Sequence, residues 1–122
     1  MKKILVAEDN NMNFQLFCGI FENIEVELLH AWNGKEAVDI YRENQDISLI
    51  LMDINMPVMN GEDSTILIKE INPDVPIISI TAYLAYGSVK EENRKYFCEF
   101  IEKPLDVLYL LKLARKYCFD EN

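Results

Sequence analysis

Short, continuously apolar runs recur along the chain, and each is too short to form a helix. Residues 4–7 (Ile-Leu-Val-Ala) and 49–52 (Leu-Ile-Leu-Met) are the clearest of them. Such runs, rich in branched side chains, are typical of strands buried on both faces in the middle of a parallel sheet. Three further runs, at residues 26–30, 75–81 and 100–101, complete five predicted strands. Glu27 lies inside the first of these three, which favours an edge position for that strand.

Most segments between the predicted strands carry apolar residues at helical spacing, whereas residues 87–96 are rich in charge, poor in apolar periodicity and predict a weaker helix. The predicted helices cover residues 11–24, 34–43, 62–71 and 87–96, and a last helix follows Asp106. Asn10 or Asn11 is suited to cap the first helix, and Asp106 to cap the last. Strands and helices therefore alternate five times. This order predicts a single doubly wound α/β domain over residues 1–122, with a parallel sheet, right-handed crossovers and helices on both faces.

The helical spacing also predicts which side chains face the sheet. For the first helix this inward stripe is Leu16, Ile20 and Ile24, with Phe17 beside it. A second stripe at i, i+4 and i+7 on the same helix points elsewhere and consists of Phe14, Cys18 and Phe21. The inward residues predicted for the second and last helices are Ala37, Val38, Tyr41, Val107, Leu110, Leu111, Ala114 and Cys118.

The composition is that of an ordinary globular protein, and its charge restricts the partners. The chain has 122 residues, of which 50% are hydrophobic, and a net charge of −9. An acidic surface is unsuited to direct nucleic-acid binding, which needs clustered Lys and Arg. No apolar run approaches the roughly 20 residues of a membrane span, so we expect a cytoplasmic protein without direct membrane contact. Cys18, Cys98 and Cys118 lack CxxC spacing, which favours reduced thiols over a disulfide or zinc site.

Polar residues stand where the predicted strands end, and ligands bind at that edge of an open α/β sheet. They are Glu8 and Asp9 after the first strand, Asp53 at the third, Thr81 at the fourth and Lys103 after the fifth. Each of them alone has an ordinary structural explanation, such as a helix cap or a strand end. Their complementary chemistry at one edge indicates a shared site.

Three carboxylates in one pocket repel one another and raise each other's pKa values. A divalent cation would make the arrangement favourable, and oxygen donors favour a hard ion, Mg²⁺ (or Mn²⁺). Lys103 and Thr81 are suited to bind phosphoryl oxygens. Asp53 is then the predicted nucleophile, because a carboxylate beside such a cation can accept a phosphoryl group.

These residues resemble the receiver domain of two-component response regulators over essentially the whole chain. The resemblance rests on residues 4–10 (Ile-Leu-Val-Ala-Glu-Asp-Asn), 33–37 (Asn-Gly-Lys-Glu-Ala), 52–61 (Met-Asp-Ile-Asn-Met-Pro-Val-Met-Asn-Gly), 81–82 (Thr-Ala) and 103–104 (Lys-Pro). The motifs are most similar to receivers of hybrid sensor histidine kinases. The resemblance implies a flavodoxin-like fold with strand order 2-1-3-4-5.

The resemblance also implies a signalling switch rather than an enzyme acting on other substrates. Asp53 would accept a phosphoryl group from a phosphohistidine in a Mg²⁺-dependent reaction, and hydrolysis of the acyl phosphate would reset the switch. Asp9, Asp53 and the main-chain carbonyl of Asn55 would bind Mg²⁺, and Glu8 would hold a metal-bound water. The residues implied to receive phosphoryl oxygens are Thr81, Lys103, Asn55 and the Ala82 N–H. The Lys103–Pro104 bond is expected to be cis, which would orient the lysine.

Phe100 falls on the family's switch aromatic, which is expected to turn inward as Thr81 moves toward the phosphoryl group. The family's homodimer surface would lie on the predicted helix 87–96, the fifth strand and the last helix. Residues 96–99 (Tyr-Phe-Cys-Glu) depart from the family pattern there, because a Gly usually ends that helix in a left-handed turn. Tyr83 is expected at the mouth of the site, where it either slows hydrolysis or is simply solvated.

The implied partner is a sensor histidine kinase or a histidine-phosphotransfer domain. The stripe of Phe14, Cys18 and Phe21 is a candidate docking surface for it, with packing against a neighbouring loop as the alternative.

Two other functions fit part of the pattern. A haloacid-dehalogenase-like phosphatase also uses an Asp at a strand end but needs a second Asp two residues on, where this chain has Asn55. A receiver-like interaction module without phosphorylation would not require the acidic residues, Thr81 or Lys103. The sequence leaves open whether the domain stands alone or is the cytosolic part of a larger sensor kinase.

Overall fold

The computed structural model describes residues 1–82 and 89–121. Its elements are β1 (Lys2–Ala7), α1 (Asn11–Phe21), β2 (Val26–Ala31), α2 (Gly34–Glu43), β3 (Ile47–Asp53), α3 (Gly61–Ile71), β4 (Ile77–Thr81), a 3-10 helix (Glu91–Tyr96), β5 (Glu99–Glu102) and α4 (Val107–Phe119). The strands form one parallel sheet in the order β2-β1-β3-β4-β5. The doubly wound α/β fold predicted from the apolar runs is confirmed.

Strand position in the sheet follows the apolar content of each run. The continuously apolar runs in β1 and β3 lie in the middle, where Leu5 and Ile50 are fully buried. The half-polar β2 lies at the edge and pairs only with β1, which leaves Glu27 in solvent as expected. The result is a buried central pair of strands whose carboxyl ends carry Glu8 and Asp53.

Two hydrophobic cores cover the two faces of the sheet. On one face, Ala37, Val38 and Tyr41 of α2 pack with α3, and all three are buried as predicted. The Tyr41 hydroxyl oxygen accepts a hydrogen bond of 2.8 Å from Nδ2 of Asn72. On the other face, α1 and α4 bury residues that include Phe17 and Leu110.

Each α-helix begins with a capping side chain that directly precedes it. Asn10, Asn33, Asn60 and Asp106 occupy these positions, and the side-chain oxygen of each accepts a hydrogen bond from a main-chain N–H in the first turn. A cap of this type satisfies a donor that the helix itself cannot pair. The caps of α1 and α3 therefore start these helices within a few residues of the carboxyl ends of β1 and β3.

The inward face predicted for α1 is wrong for Leu16, whereas Phe17 is buried and Ile20 and Ile24 pack against the core as predicted. The helix ends at Phe21, not at residue 24, and Phe17 and Phe21 are its buried residues. Leu16 is 63% exposed, and Ile20 and Ile24 are half-buried. Apolar residues surround this helix on several sides, so the spacing is consistent with more than one rotation about its axis. A smaller error of the same kind affects α4, where Val107 is exposed.

The segment before β5 also differs from its prediction. The sequence predicted a weak helix over 87–96, of which residues 87–88 lie outside the described residues. Glu91–Tyr96 form a 3-10 helix with no side-chain cap at Lys90. The following residue, Phe97, is extended (φ −103°, ψ 138°) and buried. An extended exit needs no left-handed residue, so the absence of a Gly at this point carries no steric cost. No helix in the described ranges is long and apolar enough to cross a membrane.

Candidate functional site

Glu8 directly follows β1, and its carboxylate is buried at the edge of the sheet. Its main-chain N–H donates to the carbonyl oxygen of Ala31 at 2.9 Å, which extends the pairing of β1 with β2 by one bond. Oε1 accepts a hydrogen bond of 3.2 Å from Nζ of Lys103, and Oε2 accepts one of 3.3 Å from the N–H of Asn10. Both carboxylate oxygens of Glu8 therefore accept a hydrogen bond, which fixes the side chain.

Asp53 is the last residue of β3, and the residue is only 7% exposed. Its Oδ1 accepts a 3.1 Å hydrogen bond from the N–H of Asn55, and Oδ2 lies 3.6 Å from Nζ of Lys103. Gly61, at the start of α3, allows the main chain to pass closely behind, since a Cβ there would collide with the carbonyl oxygen of Asp53. The carboxylate is thus held at the rim with one oxygen toward the lysine.

Lys103 reaches this rim from β5, whose last residue is Glu102. Its N–H donates to the carbonyl oxygen of Thr81 at 2.8 Å, so the two residues are tied together through the main chain. The Lys103–Pro104 bond is cis, as expected from the sequence. Thr81 is buried at the end of β4 and Ala82 is exposed just beyond it.

The acidic pocket consists of Glu8, Asp9 and Asp53. One carboxylate oxygen from each lies within 4.8 Å of the others, and Asp9 is the exposed member. This donor set fits a hard divalent cation, because it offers oxygens alone and one side open to water. Glu8, Asp9 and Asp53 would hold such an ion, with Asn55 exposed in the adjoining loop. The structure therefore brings together the carboxylates, Thr81 and Lys103 that the sequence grouped.

Burial changes the protonation chemistry of the pocket. Burial, and then the nearby charge of Asp53, raise the pKa of Glu8 to about 7, while Lys103 acts in the opposite direction. Burial also raises the pKa of Asp53, against the effects of Lys103 and of the Asn55 N–H. Without a cation, Glu8 and Asp53 therefore bind protons at higher pH than free carboxyl groups do. A divalent ion can replace these protons and stabilise the ionised carboxylates.

Phe100, the predicted switch aromatic, is half-buried in β5 beside Ser79 of β4. Its ring lies 5.4 Å from that of Phe97, centroid to centroid. Tyr83, the residue predicted at the mouth of the site, lies outside the described residues.

The exposed stripe predicted on α1 is wrong for Phe21, which is 2% exposed and belongs to the core. Phe14 is half-buried and stacks on the ring of His30, and Cys18 is half-buried. The same error in helix rotation that placed Leu16 inside placed Phe21 outside.

An apolar groove of about 380 Å³ lies beside the pocket and was not predicted. We name it the docking groove. It is lined by Asn13, Leu16, Phe17 and Ile20 of α1 and by Lys103, Pro104, Leu105 and Val107. The apolar residues flanking Lys103-Pro104 were the available sequence signal. Nothing in the sequence indicates that α1 lies against them.

Comparison with known proteins extends these observations. The family model described as "Response regulator receiver domain" matches residues 4–115. The polar-differentiation response regulator DivK of Brucella anthropi is 34% identical over 122 residues, covering 98% of each chain. Hybrid signal transduction histidine kinase I of Dictyostelium discoideum is 34% identical over 113 residues, which are 86% of this chain and 6% of that protein. The crystal structure of response regulator TrrA from Thermotoga maritima, in complex with Mg²⁺ and BeF, superposes with a TM-score of 0.86 at 27% identity, covering 96% of this chain and 99% of that one.

Proposed function

The chain belongs to the response regulator receiver domain family of two-component signalling, and from this premise we propose that Asp53 is its phosphoacceptor. In this proposal residues 1–122 form one receiver domain that takes a phosphoryl group from a phosphohistidine, changes conformation and is reset by hydrolysis. The observation that carries the proposal is the position of the Asp53 carboxylate, 3.6 Å from Lys103 and within reach of Glu8 and Asp9.

The transfer needs a carboxylate oxygen of Asp53 that can approach the phosphorus atom. The N–H of Asn55 engages Oδ1 of Asp53, so Oδ2 is the oxygen that attacks phosphorus. A P–O bond forms, the P–N bond of the phosphohistidine breaks, and the imidazole leaves with the bonding electron pair. A Mg²⁺ ion bound by the acidic pocket would neutralise the carboxylates and polarise the phosphoryl oxygens. TrrA, which was crystallised with Mg²⁺, supports this choice of ion, and Mn²⁺ is the proposed substitute.

Lys103 changes partners in this scheme. Before transfer its ammonium group lies between Glu8 and Asp53. Phosphorylation adds about two negative charges and three acceptor oxygens, so Nζ moves onto a phosphoryl oxygen. Thr81 and the N–H of Ala82 receive the others. The Lys103 N–H is bonded to the Thr81 carbonyl oxygen, so the main-chain segments that carry the two donors are linked.

The conformational change follows from these new contacts. A ligand shifts an equilibrium only through contacts that differ between two states, and the contacts of Thr81 and Lys103 with phosphoryl oxygens can form only after transfer. Movement of Thr81 leaves room for Phe100, which can signal by packing alone because it has no hydroxyl group. Hydrolysis by a water attacking the acyl phosphate then resets the domain, so the domain catalyses only its own phosphorylation and dephosphorylation.

The proposed partner is the helical domain of a histidine kinase or a histidine-phosphotransfer protein, in the cytoplasm. The docking groove supports this choice, because it is apolar, adjoins Lys103 and opens beside the acidic pocket. The hybrid kinase relative is consistent with it, and this chain can equally serve within a larger sensor kinase. A homodimer would use the exposed side chains of α4, Leu108 and Tyr109, together with β5 and the 3-10 helix.

The deciding experiment is intact mass spectrometry after incubation with acetyl phosphate and Mg²⁺. The wild type is expected to gain one phosphoryl group, whereas Asp53→Asn gains none. Asp74→Asn changes an exposed carboxylate that does not belong to the acidic pocket. It is the matched control and should behave as the wild type. Modification of the Asp53→Asn protein would reject the assignment. Multiple turnover of an added phosphoester would instead favour the phosphatase alternative.

A further inference from the structure

We propose that His30 is a positioning residue that fixes the turn between β1 and α1 and thereby sets the affinity of the acidic pocket for a divalent cation. This inference rests on the proposed function, because it assumes that Glu8, Asp9 and Asp53 hold the ion. His30 lies on β2, and none of its atoms belongs to the pocket. Its effect would pass through the main chain of Glu8.

The first observation is a hydrogen bond of 2.8 Å between Nε2 of His30 and the carbonyl oxygen of Glu8. A carbonyl oxygen only accepts, so Nε2 must carry the proton and donate it. The N–H of Glu8 is already bonded to the carbonyl oxygen of Ala31. Neighbouring residues of β2 therefore hold the peptide groups on both sides of Glu8, one through the main chain and one through a side chain.

The second observation is that the His30 ring is itself held in place. The ring of Phe14, on α1, stacks on it with a centroid distance of 3.8 Å and an angle of 4°. The ring of Trp32 contacts it at 4.2 Å and 39°. Stacking on both neighbours restricts rotation of the imidazole, so the donor keeps its direction toward Glu8. Phe14 thus has a structural role here, linking α1 to the end of β2.

Glu8 and Asp9 share the peptide group whose oxygen His30 binds, which is why this bond bears on the cation site. Rotation of that peptide would move the Cα of Asp9, the exposed member of the pocket, relative to Asp53. It would also disturb the Asn10 N–H, which donates to Oε2 of Glu8 and adjoins the cap of α1. Residues that orient metal ligands without touching the metal typically change metal affinity by about 10- to 100-fold when replaced.

A role of His30 as hydrogen-bond donor and a purely structural role predict different results for three variants. His30→Leu keeps an apolar body but removes the donor, and leaves the Glu8 carbonyl without its partner. His30→Gln restores an amide N–H at nearly the reach of Nε2 but loses the aromatic stack. Leu29→Ala perturbs the packing of the same strand without touching Glu8, and is the matched control.

Two measurements on the unphosphorylated protein decide the matter. Titration with Mg²⁺, followed by amide chemical shifts, is expected to give a Kd about tenfold weaker for His30→Leu, with recovery in His30→Gln and no change in Leu29→Ala. Amide hydrogen exchange without metal is expected to be faster at Glu8 and Asn10 in His30→Leu, and slower again in His30→Gln.

A Kd for His30→Leu within twofold of the wild type would overturn the proposal, and so would a His30→Gln protein as weak as His30→Leu. If the wild type itself bound no Mg²⁺, the proposed function would fail first. The exchange data would still decide the inference, because unchanged exchange at Glu8 and Asn10 in His30→Leu would reject any positioning role.

Discussion

Single residues at the rim combine charge with burial, and this combination gives the site its chemistry. Glu8 and Asp53 are buried carboxylates that share one lysine, and Lys103 remains 27% exposed. Burying ionised groups costs free energy unless opposite charges and hydrogen bonds offset it. One ammonium group cannot neutralise the three carboxylates of the pocket. A bound divalent cation would offset the negative charge that Lys103 leaves uncompensated.

The raised pKa of Glu8 gives a pH-dependent stability. Its pKa is about 7 in the folded protein against 4.5 for an unperturbed Glu side chain, so the folded state binds more protons than the unfolded state between these two pH values. The free energy of unfolding of the metal-free protein should therefore decrease as the pH rises from 4.5 to about 7. In urea unfolding experiments at several pH values across this range, the free energy of unfolding of Glu8→Gln should fall less steeply with pH than that of the wild type. Asp53, whose pKa is also raised, accounts for the pH dependence that remains.

The control for this experiment is Glu22→Gln, a change at an exposed glutamate after α1, which should keep the wild-type slope. An equal slope in Glu8→Gln and wild type would show that Glu8 does not bind the extra proton. Mg²⁺ should abolish most of the difference, because the ion competes with that proton.

Among the elements, the 3-10 helix depends most on a side chain from elsewhere in the chain. Oε2 of Glu62, in the first turn of α3, accepts hydrogen bonds from Nδ2 of Asn93 at 2.6 Å and from the N–H of Lys90 at 3.3 Å. Short 3-10 segments have poorer internal hydrogen bonds than α-helices. Glu62 also follows Asn60 and Gly61, which adjoin the Asp53 loop. It therefore connects the loop that follows Asp53 to the segment before β5.

Removing this connection should loosen one segment more than the whole protein. Glu62→Ala is expected to lower the free energy of unfolding by about 1 kcal/mol, the usual contribution of such hydrogen bonds at a partly exposed site. Amide exchange should accelerate mainly within residues 90–96. Glu62→Gln keeps an acceptor oxygen and should retain most of the protection.

Glu70→Ala, on the exposed side of the same helix, serves as the comparison and should leave exchange in that segment unchanged. Equal protection of residues 90–96 in Glu62→Ala and wild type would mean that packing of Phe97 alone holds the 3-10 helix.

At the scale of the whole molecule, the docking groove exists only because two distant parts of the chain meet. One wall comes from α1 and the other from residues 103–107, which follow β5. β1 and β3 are neighbours in the sheet, and α1 and α4 pack on the same face of it. This arrangement brings the two walls of the groove together. An apolar surface of this kind beside a charged pocket is suited to hold a helix that presents a phosphohistidine to Asp53.

Leu16→Ser tests this surface without disturbing the core, since Leu16 is mostly exposed. We expect transfer from a histidine-phosphotransfer domain that phosphorylates the wild type to slow by about tenfold, as for loss of a moderate hot spot. Phosphorylation by acetyl phosphate should be unchanged, because a small donor needs no docking. Leu108→Ser, at an 80% exposed position outside the groove, is the control. Normal protein-to-protein transfer in Leu16→Ser would exclude the groove as the docking site.

The sequence by itself determined the order of elements and the residues at the rim. Short, fully apolar runs rich in branched side chains are typical of central strands, and a polar residue that ends such a strand lies at the carboxyl edge of a parallel sheet. Glu8, Asp53, Thr81 and Lys103 therefore needed no tertiary information to be grouped. The same holds for the caps Asn10 and Asp106, because a capping side chain acts within its own first turn.

Only the tertiary structure decided which side of α1 faces the core, and so which residues line the docking groove. Apolar residues occur at too many angles around that helix for periodicity to choose between Leu16 and Phe21. Packing against α4 and the sheet determines which of them is buried. The 3-10 form of residues 91–96 and the bond from His30 to Glu8 were equally hidden. Each depends on contacts between residues that are neighbours in space and not in the chain.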